Sequence, residues 1–149
     1  MSARSHIAMT PEEIADYLDE PRTLNIVTVG PDGLHIVAMW FVMRGTSPVF
    51  WTYAKSQKVR NLERDQRMSG LVESGDVYTE LRGVEVIGTG WLITDPAAVL
   101  EIGRELSVKY PQPGGSADLA KVAAKRVGVE LRPARTVSWD HRKLAAGRY

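Results

Sequence analysis

The apolar positions change period several times along the chain. In TPEEIADYLDE, Ile14, Tyr17 and Leu18 share one helical face. That helix opens with its markers in place: Thr10 as N-cap, Pro11 in the first turn and Glu13 completing a capping box. TLNIVTV and LHIVAMWFVMR read as β-rich runs joined by the turn GPDG, and RGTSP leads into a further strand, VFWTY. A short helix within SQKVRNLERDQR, the strand RMSGLVE and the turn SGD come next, before one long run from Val77 to Thr94. Gly83, Gly88 and Gly90 interrupt that run, as where a strand bends sharply in a small barrel. Asp95-Pro96 opens a longer helix whose Val99, Ile102, Gly103 and Leu106 form an i, i+3, i+4, i+7 stripe. After the loop YPQPGGS, a helix is expected from about Asp118 to Val127 and a last strand from about Val129 to Trp139, with Pro133 marking an edge or a bulge.

Strands that follow one another through short turns favour an antiparallel meander or barrel. The expected class is mainly β with peripheral helices (α+β): about six antiparallel strands and three peripheral helices in a single domain, residues 1–149.

Composition narrows the function classes. The 149 residues are 44% hydrophobic and 25% charged, as in a globular domain with a real core. A net charge of +1 offers no global basic field for nucleic acid. The absence of cysteine excludes disulfides, thiolate-bound zinc and a thiol nucleophile. MSARSHIAMTPEE lacks the apolar core of a signal peptide and no apolar run reaches a membrane span, so a cytoplasmic protein is expected.

No P-loop is present, and GVEVIGTG continues as strand instead of opening a helix, so it is no Rossmann cradle. His6, His35 and His141 lack metal-ligand spacing. Ser138, Asp140 and His141 lie too close along one strand to form a triad. PGGS before a helix reads as a flexible lid rather than an anion cradle. No catalytic side chain and no metal ligand are assigned.

One local feature stands against this plain background. In FWTYAKSQKVRNLERDQRM, Lys55, Lys58 and Arg60 crowd a helix start, while Glu63 and Asp65 lie near its end. A helix start is already partly positive, and each cation there costs roughly 0.3–1 kcal/mol unless something answers it. With Ser56 as N-cap, its hydroxyl and the first-turn N–H groups would point outward together beside Lys55 and Lys58, where a phosphate would satisfy them all. Val59 and Leu62 anchor the turn inward, and Asn61 is placed to hydrogen-bond a ligand further along. The plain alternative is a solvated basic face.

The aromatic–Thr–Tyr strand end, SQKVRNLERDQR and the following β-run resemble the pyridoxamine 5′-phosphate oxidase-like superfamily. Its fold is the FMN-binding split β-barrel. The resemblance runs from about Thr10 to Asp95, and KVRNLERDQR with the tail SWDHRKL is most similar to the actinobacterial branch that uses the deazaflavin coenzyme F420. Two departures argue against vitamin B6 oxidation: Gln57 stands where those oxidases carry Arg, and the chain ends RKLAAGRY in place of an Arg-Leu-x-Pro motif.

The resemblance implies a homodimer with small-molecule sites in the groove between protomers, no nucleic acid and no membrane span. A hydride from the cofactor would reduce a conjugated substrate. On this reading Lys55, Ser56, Gln57 and Lys58 form the turn that holds the cofactor phosphate, Asn61 hydrogen-bonds the cofactor further along, Trp40 and Tyr53 bound its ring, Thr52 hydrogen-bonds the ring or the ribityl chain, and Tyr78 reaches in from the partner chain. Tyr78 and His141 are the candidate proton donors, and Trp139, His141 and Arg142 are candidates for the substrate side. Trp51 and Trp91 read as core or interface. Two alternatives stay open: an FMN-binding oxidoreductase of the same fold, and a non-enzymatic module that carries flavin or haem.

Overall fold

A computed structural model describes residues 3–114 and 118–144 of the chain. Two short helices lead: α1 (Ala3–Ile7), which the sequence pattern did not suggest, and α2 (Pro11–Asp19). The capping box of α2 forms in both directions, Glu13 N–H to Thr10 Oγ1 at 3.2 Å and Thr10 N–H to Glu13 Oε2 at 2.8 Å. The strands are β1 (Leu24–Gly30), β2 (Gly33–Met39), β3 (Val42–Arg44), β4 (Ser47–Tyr53), β5 (Arg67–Ser74), β6 (Arg82–Ile93) and β7 (Arg126–Asp140). Helix α3 (Gln57–Arg64) follows β4, while α4 (Pro96–Lys109) and α5 (Leu119–Ala123) lie between β6 and β7. Turns of 3-10 helix occupy Tyr78–Glu80 and His141–Lys143.

The strands form one antiparallel sheet in the order β2-β1-β5-β6-β7-β4-β3. Seven strands stand where six were expected, because LHIVAMWFVMR breaks at Trp40–Phe41. Its two halves pair on opposite edges of the sheet, β2 with β1 and β3 with β4. The sheet therefore curls until its edges meet at the break, and it stays split there. Nothing local marks the place, since the residues are apolar and β-prone. A side chain distant in sequence sets it. The hydroxyl of Tyr110, at the end of α4, accepts from Phe41 N–H (3.4 Å) and has Arg22 O (2.7 Å) and Phe41 O (3.2 Å) within reach of its one proton. Those bonds replace ladder partners the backbone would otherwise lack.

Two further boundaries differ. The run from Val77 begins as a 3-10 turn before β6 starts at Arg82. Helix α5 ends at Ala123 instead of Val127, and β7 starts at Arg126, so Arg126 lies on a strand. Pro133 does sit at an irregularity: the β6–β7 register shifts at Ile87/Gly88, with Gly88 opposite Pro133. A Cβ on Gly88 would come within 1.9 Å of the Arg132 carbonyl oxygen, so only glycine fits that bulge. The PGGS segment read as a lid falls partly outside the described residues, as does most of the tail RKLAAGRY.

The main core gathers Leu24, Ile26, Phe41, Phe50, Val84 and Leu131 inside the curl, and Leu18 closes it from α2. A second cluster, Val42, Val49, Ile102, Leu106 and Tyr110, packs α4 against β3 and β4. Trp51 lies across Gly103 of α4, where an added Cβ would sit 2.4 Å from the indole. No described helix is long and apolar enough to cross a membrane.

Candidate functional site

Strand β4 delivers the chain to α3 through a turn at Ala54–Lys55. Val59 and Leu62 are 2% exposed and fix the helix to the barrel, which leaves its first turn at the surface. Ser56 is the N-cap, with extended backbone, but its hydroxyl makes no capping bond. Contrary to the sequence expectation, Ser56 Oγ does not point outward. It is buried and has no hydrogen-bond partner. An unanswered buried hydroxyl costs about 1–3 kcal/mol.

Lys58 also turns inward. Its Nζ donates to Thr52 Oγ1 at 2.9 Å, and Thr52 is buried on β4. Desolvation first, and the neighbouring Arg126 charge second, push the Lys58 ammonium below its ordinary range. Arg126 faces Tyr53 across the β4–β7 ladder. Its guanidinium carbon lies 4.4 Å from the Tyr53 ring centroid and 4.9 Å from that of Trp51. Its Nε is buried without a partner. Among the described residues, none of Lys55, Lys58, Arg60 or Arg126 forms an ion pair. Lys55, Lys58 and Arg60 thus bring unneutralised charge to the turn and first residues of α3, and Arg126 stands apart on the adjoining strand β7.

Arg126 links this end to a cleft of about 560 Å3 between the edge of β2 and helices α4 and α5. Trp40 stacks on Tyr110 with ring centroids 4.9 Å apart and planes within 3°, giving the cleft a flat wall. Trp51 and Arg126 also line it, and no carboxylate does. Trp40 (46% exposed) and Tyr53 (59%) leave much of their surface uncovered.

Asn61 takes a different place from the one expected. It is fully buried beneath α3, where it donates to Thr28 Oγ1 (3.0 Å) and accepts from Gln57 Nε2 and Arg64 Nη2, both at 2.8 Å. Buried and bonded in this way, Asn61 supports the turn from within. Gln57 is drawn into the same network, and Lys55 is exposed in the turn.

Tyr78 lies at the other end of the sheet. It precedes β6, whereas the basic turn of α3 adjoins the start of β7, which pairs with the end of β6. A 12-residue strand spans about 40 Å if straight, so the Tyr78 of the same chain does not join Lys58. Its ring meets His141 edge-on at 4.6 Å, and its carbonyl oxygen lies 2.8 Å from His141 Nδ1. Arg142 is bound to Asp140 through two N–H···O contacts of 2.9 and 2.7 Å, and that guanidinium holds the Asp140 carboxyl below its usual range. Trp139 packs over Gly83. Within one chain these tail residues brace the far end of the sheet. The residues that sequence reasoning missed are Arg126, which it assigned to a helix, and Tyr110, read only as the start of a loop.

Residues 10–140 match the family model described as pyridoxamine 5′-phosphate oxidase. Among solved structures, the conserved hypothetical protein Rv2991 from Mycobacterium tuberculosis is 38% identical, with 99% of this chain and 98% of that one covered and a TM-score of 0.86. An F420 reductase is 29% identical over 81% of this chain and 93% of its own, at a TM-score of 0.66. The haem storage protein HutZ from Vibrio cholerae, 13% identical over 85% of this chain and 93% of its own, shares the fold at a TM-score of 0.66. No curated protein gives a significant match.

Proposed function

Because this chain belongs to the pyridoxamine 5′-phosphate oxidase family, we propose that it is an oxidoreductase that takes the deazaflavin coenzyme F420 as its hydride carrier and reduces a conjugated small molecule. The observation that carries this reading is the first turn of α3, whose N–H groups have no side-chain cap and whose cations Lys55, Lys58 and Arg60 have no described ion-pair partner. Those N–H groups and the Lys58 ammonium suit a phosphate. Lys55 and Arg60 add unneutralised charge at the rim, which suits a coenzyme tail that bears carboxylates as well as phosphate. Gln57, engaged with Asn61, supplies no charge where the B6 oxidases use Arg. The similarity to an F420 reductase points the same way.

When bound, the reduced coenzyme supplies a hydride to an electron-poor double bond or imine. The chain's part is to bind and to orient. Lys58 and the α3 N–H groups hold the anionic end, Thr52 sets the position of Lys58, and Trp40 and Tyr53 offer apolar faces that exclude water from the ring. A homodimer serves such a site. Leu34 (72% exposed) and Ile36 (64%) form an apolar stripe on one face of β2 that runs on to Trp40, and a second copy would cover it and bring its own Tyr78 nearer. A monomer in light scattering at micromolar concentration would remove that part of the proposal.

Parallel titrations with F420 and FMN test the cofactor. Tighter binding of F420 is expected. If FMN binds at least as tightly, the chain is an FMN protein of this fold. If F420 binds but no conjugated acceptor is ever reduced, it is a carrier rather than an enzyme.

A further inference from the structure

The cleft beside Arg126 has more room, and more charge, than a coenzyme phosphate requires. Its volume of about 560 Å3 lies within the range of small-molecule sites. The parallel Trp40–Tyr110 pair and the Trp51 indole give it flat, apolar surfaces of the kind on which a planar conjugated ring system stacks. Among the described residues, the one charged side chain lining it is Arg126. That guanidinium is held against the Trp51 and Tyr53 rings, its Nε is buried with no acceptor, and no described carboxylate pairs with it. A guanidinium that lines an apolar cleft with no described carboxylate to neutralise it is answered by a carboxylate taken edge-on by the exposed part of its planar fork. The helix start has its own phosphate donors in the α3 N–H groups and Lys58, so Arg126 is left for a second anion.

We propose that the Trp40–Tyr110–Trp51 cleft is a substrate pocket for planar, conjugated carboxylates, with Arg126 as the residue that selects the anion. This assignment rests on the cofactor reading only in calling the occupant a substrate. The pocket and its charge preference stand on their own residues.

The test uses the full chain, free and saturated with F420, titrated with 2-naphthoate and with its neutral isostere 2-naphthamide and followed by calorimetry and tryptophan fluorescence. The parent chain is expected to bind the acid at least tenfold more tightly than the amide, with the preference kept when F420 is present. Arg126→Gln should bring acid and amide within twofold of each other while its F420 affinity stays within twofold of the parent's. Trp40→Leu should weaken both probes together. Equal binding of acid and amide by the parent overturns the proposal, and that comparison needs no variant. An acid preference that survives Arg126→Gln overturns it as well. So does displacement of naphthoate by F420, or a loss of F420 affinity in Arg126→Gln, either of which would assign the cleft to the coenzyme tail. If F420 fails to bind at all while the Arg126-dependent acid preference holds, the cofactor assignment falls and the carboxylate pocket stands.

Discussion

Replacing Lys58 by methionine separates a ligand-binding cation from a structural one. The stem of Lys58 is half-buried, and methionine keeps most of its apolar contact. Two opposing terms act on the empty protein. Thr52, 3% exposed, loses the donor that reaches its hydroxyl at 2.9 Å, a loss of about 1 kcal/mol. Against this, the variant no longer desolvates an ammonium beside Arg126, which offsets part of that loss. The net loss is at most about 1 kcal/mol, so Tm should move by less than about 4 °C. Cofactor affinity has no such compensation. A charge-assisted hydrogen bond to a desolvated phosphate contributes about 1.5–3 kcal/mol, or about ten- to a hundredfold in Kd. The assay is F420 titration beside thermal unfolding of the same preparations, with Arg104→Ala, on the exposed face of α4, as the charge control. A Kd within twofold of the parent's, or a Tm loss beyond about 8 °C, would show that Lys58 serves the fold and not a ligand.

Asn61→Ala should behave in the opposite way: it strands the buried Thr28 hydroxyl, frees Gln57 and Arg64 and leaves a small void, so a loss of about 2–3 kcal/mol and a fall in Tm of about 4–12 °C are expected in the empty protein. An unchanged melting curve would sink the support role given to this amide. Lys109 gives a pH signature. Burial holds its ammonium down at about 8 despite Asp19, so the unfolded chain binds more protons than the folded one between about pH 8 and the ordinary lysine value of 10.5, and stability contributed at this residue rises with pH across that window. Lys109 is half-exposed, so the rise is modest, about 1 kcal/mol, and is read as the difference in slope between the parent and Lys109→Met in denaturant titrations at pH 7.5, 9 and 10.5. Parallel slopes would refute it.

The parts of this molecule that were legible in sequence are those decided locally. Thr10, Pro11 and Glu13 mark α2 because a capping box is built within four residues. The order helix, hairpin, strand, motif helix and glycine-broken strand is written in turn residues and periodicity, and so is the N-cap position of Ser56. What escaped was decided at a distance. The break at Trp40–Phe41 depends on Tyr110, 69 residues away from Phe41, and no apolar pattern contains that information. Asn61 looked like a ligand contact because α3 places it near Lys58, but its partner Thr28 lies 33 residues earlier on β1 and draws it inward. Arg126 was hidden because LAKVAAKRV is a good helical sequence, and the ladder with β4 overrides it from Arg126 onward.

The seam where the sheet fails to close has a consequence for how the molecule opens. Every strand inside the sheet has a neighbour on both sides over at least part of its length, whereas β2 and β3 each have one, and the chain between them is tied down by the hydroxyl of Tyr110. Loss of those bonds frees the backbone at the break, between side chains that stay packed in the core, while the β5–β6–β7 ladder stays intact. Amide hydrogens flanking Trp40 should therefore exchange with solvent through a sub-global fluctuation far cheaper than complete unfolding, and those of β6 only through the latter. The Trp40–Tyr110 wall of the cleft lies on the same seam, so a ligand stacked there would slow that exchange. The molecule's least cooperative region and its most receptive one are then the same few residues.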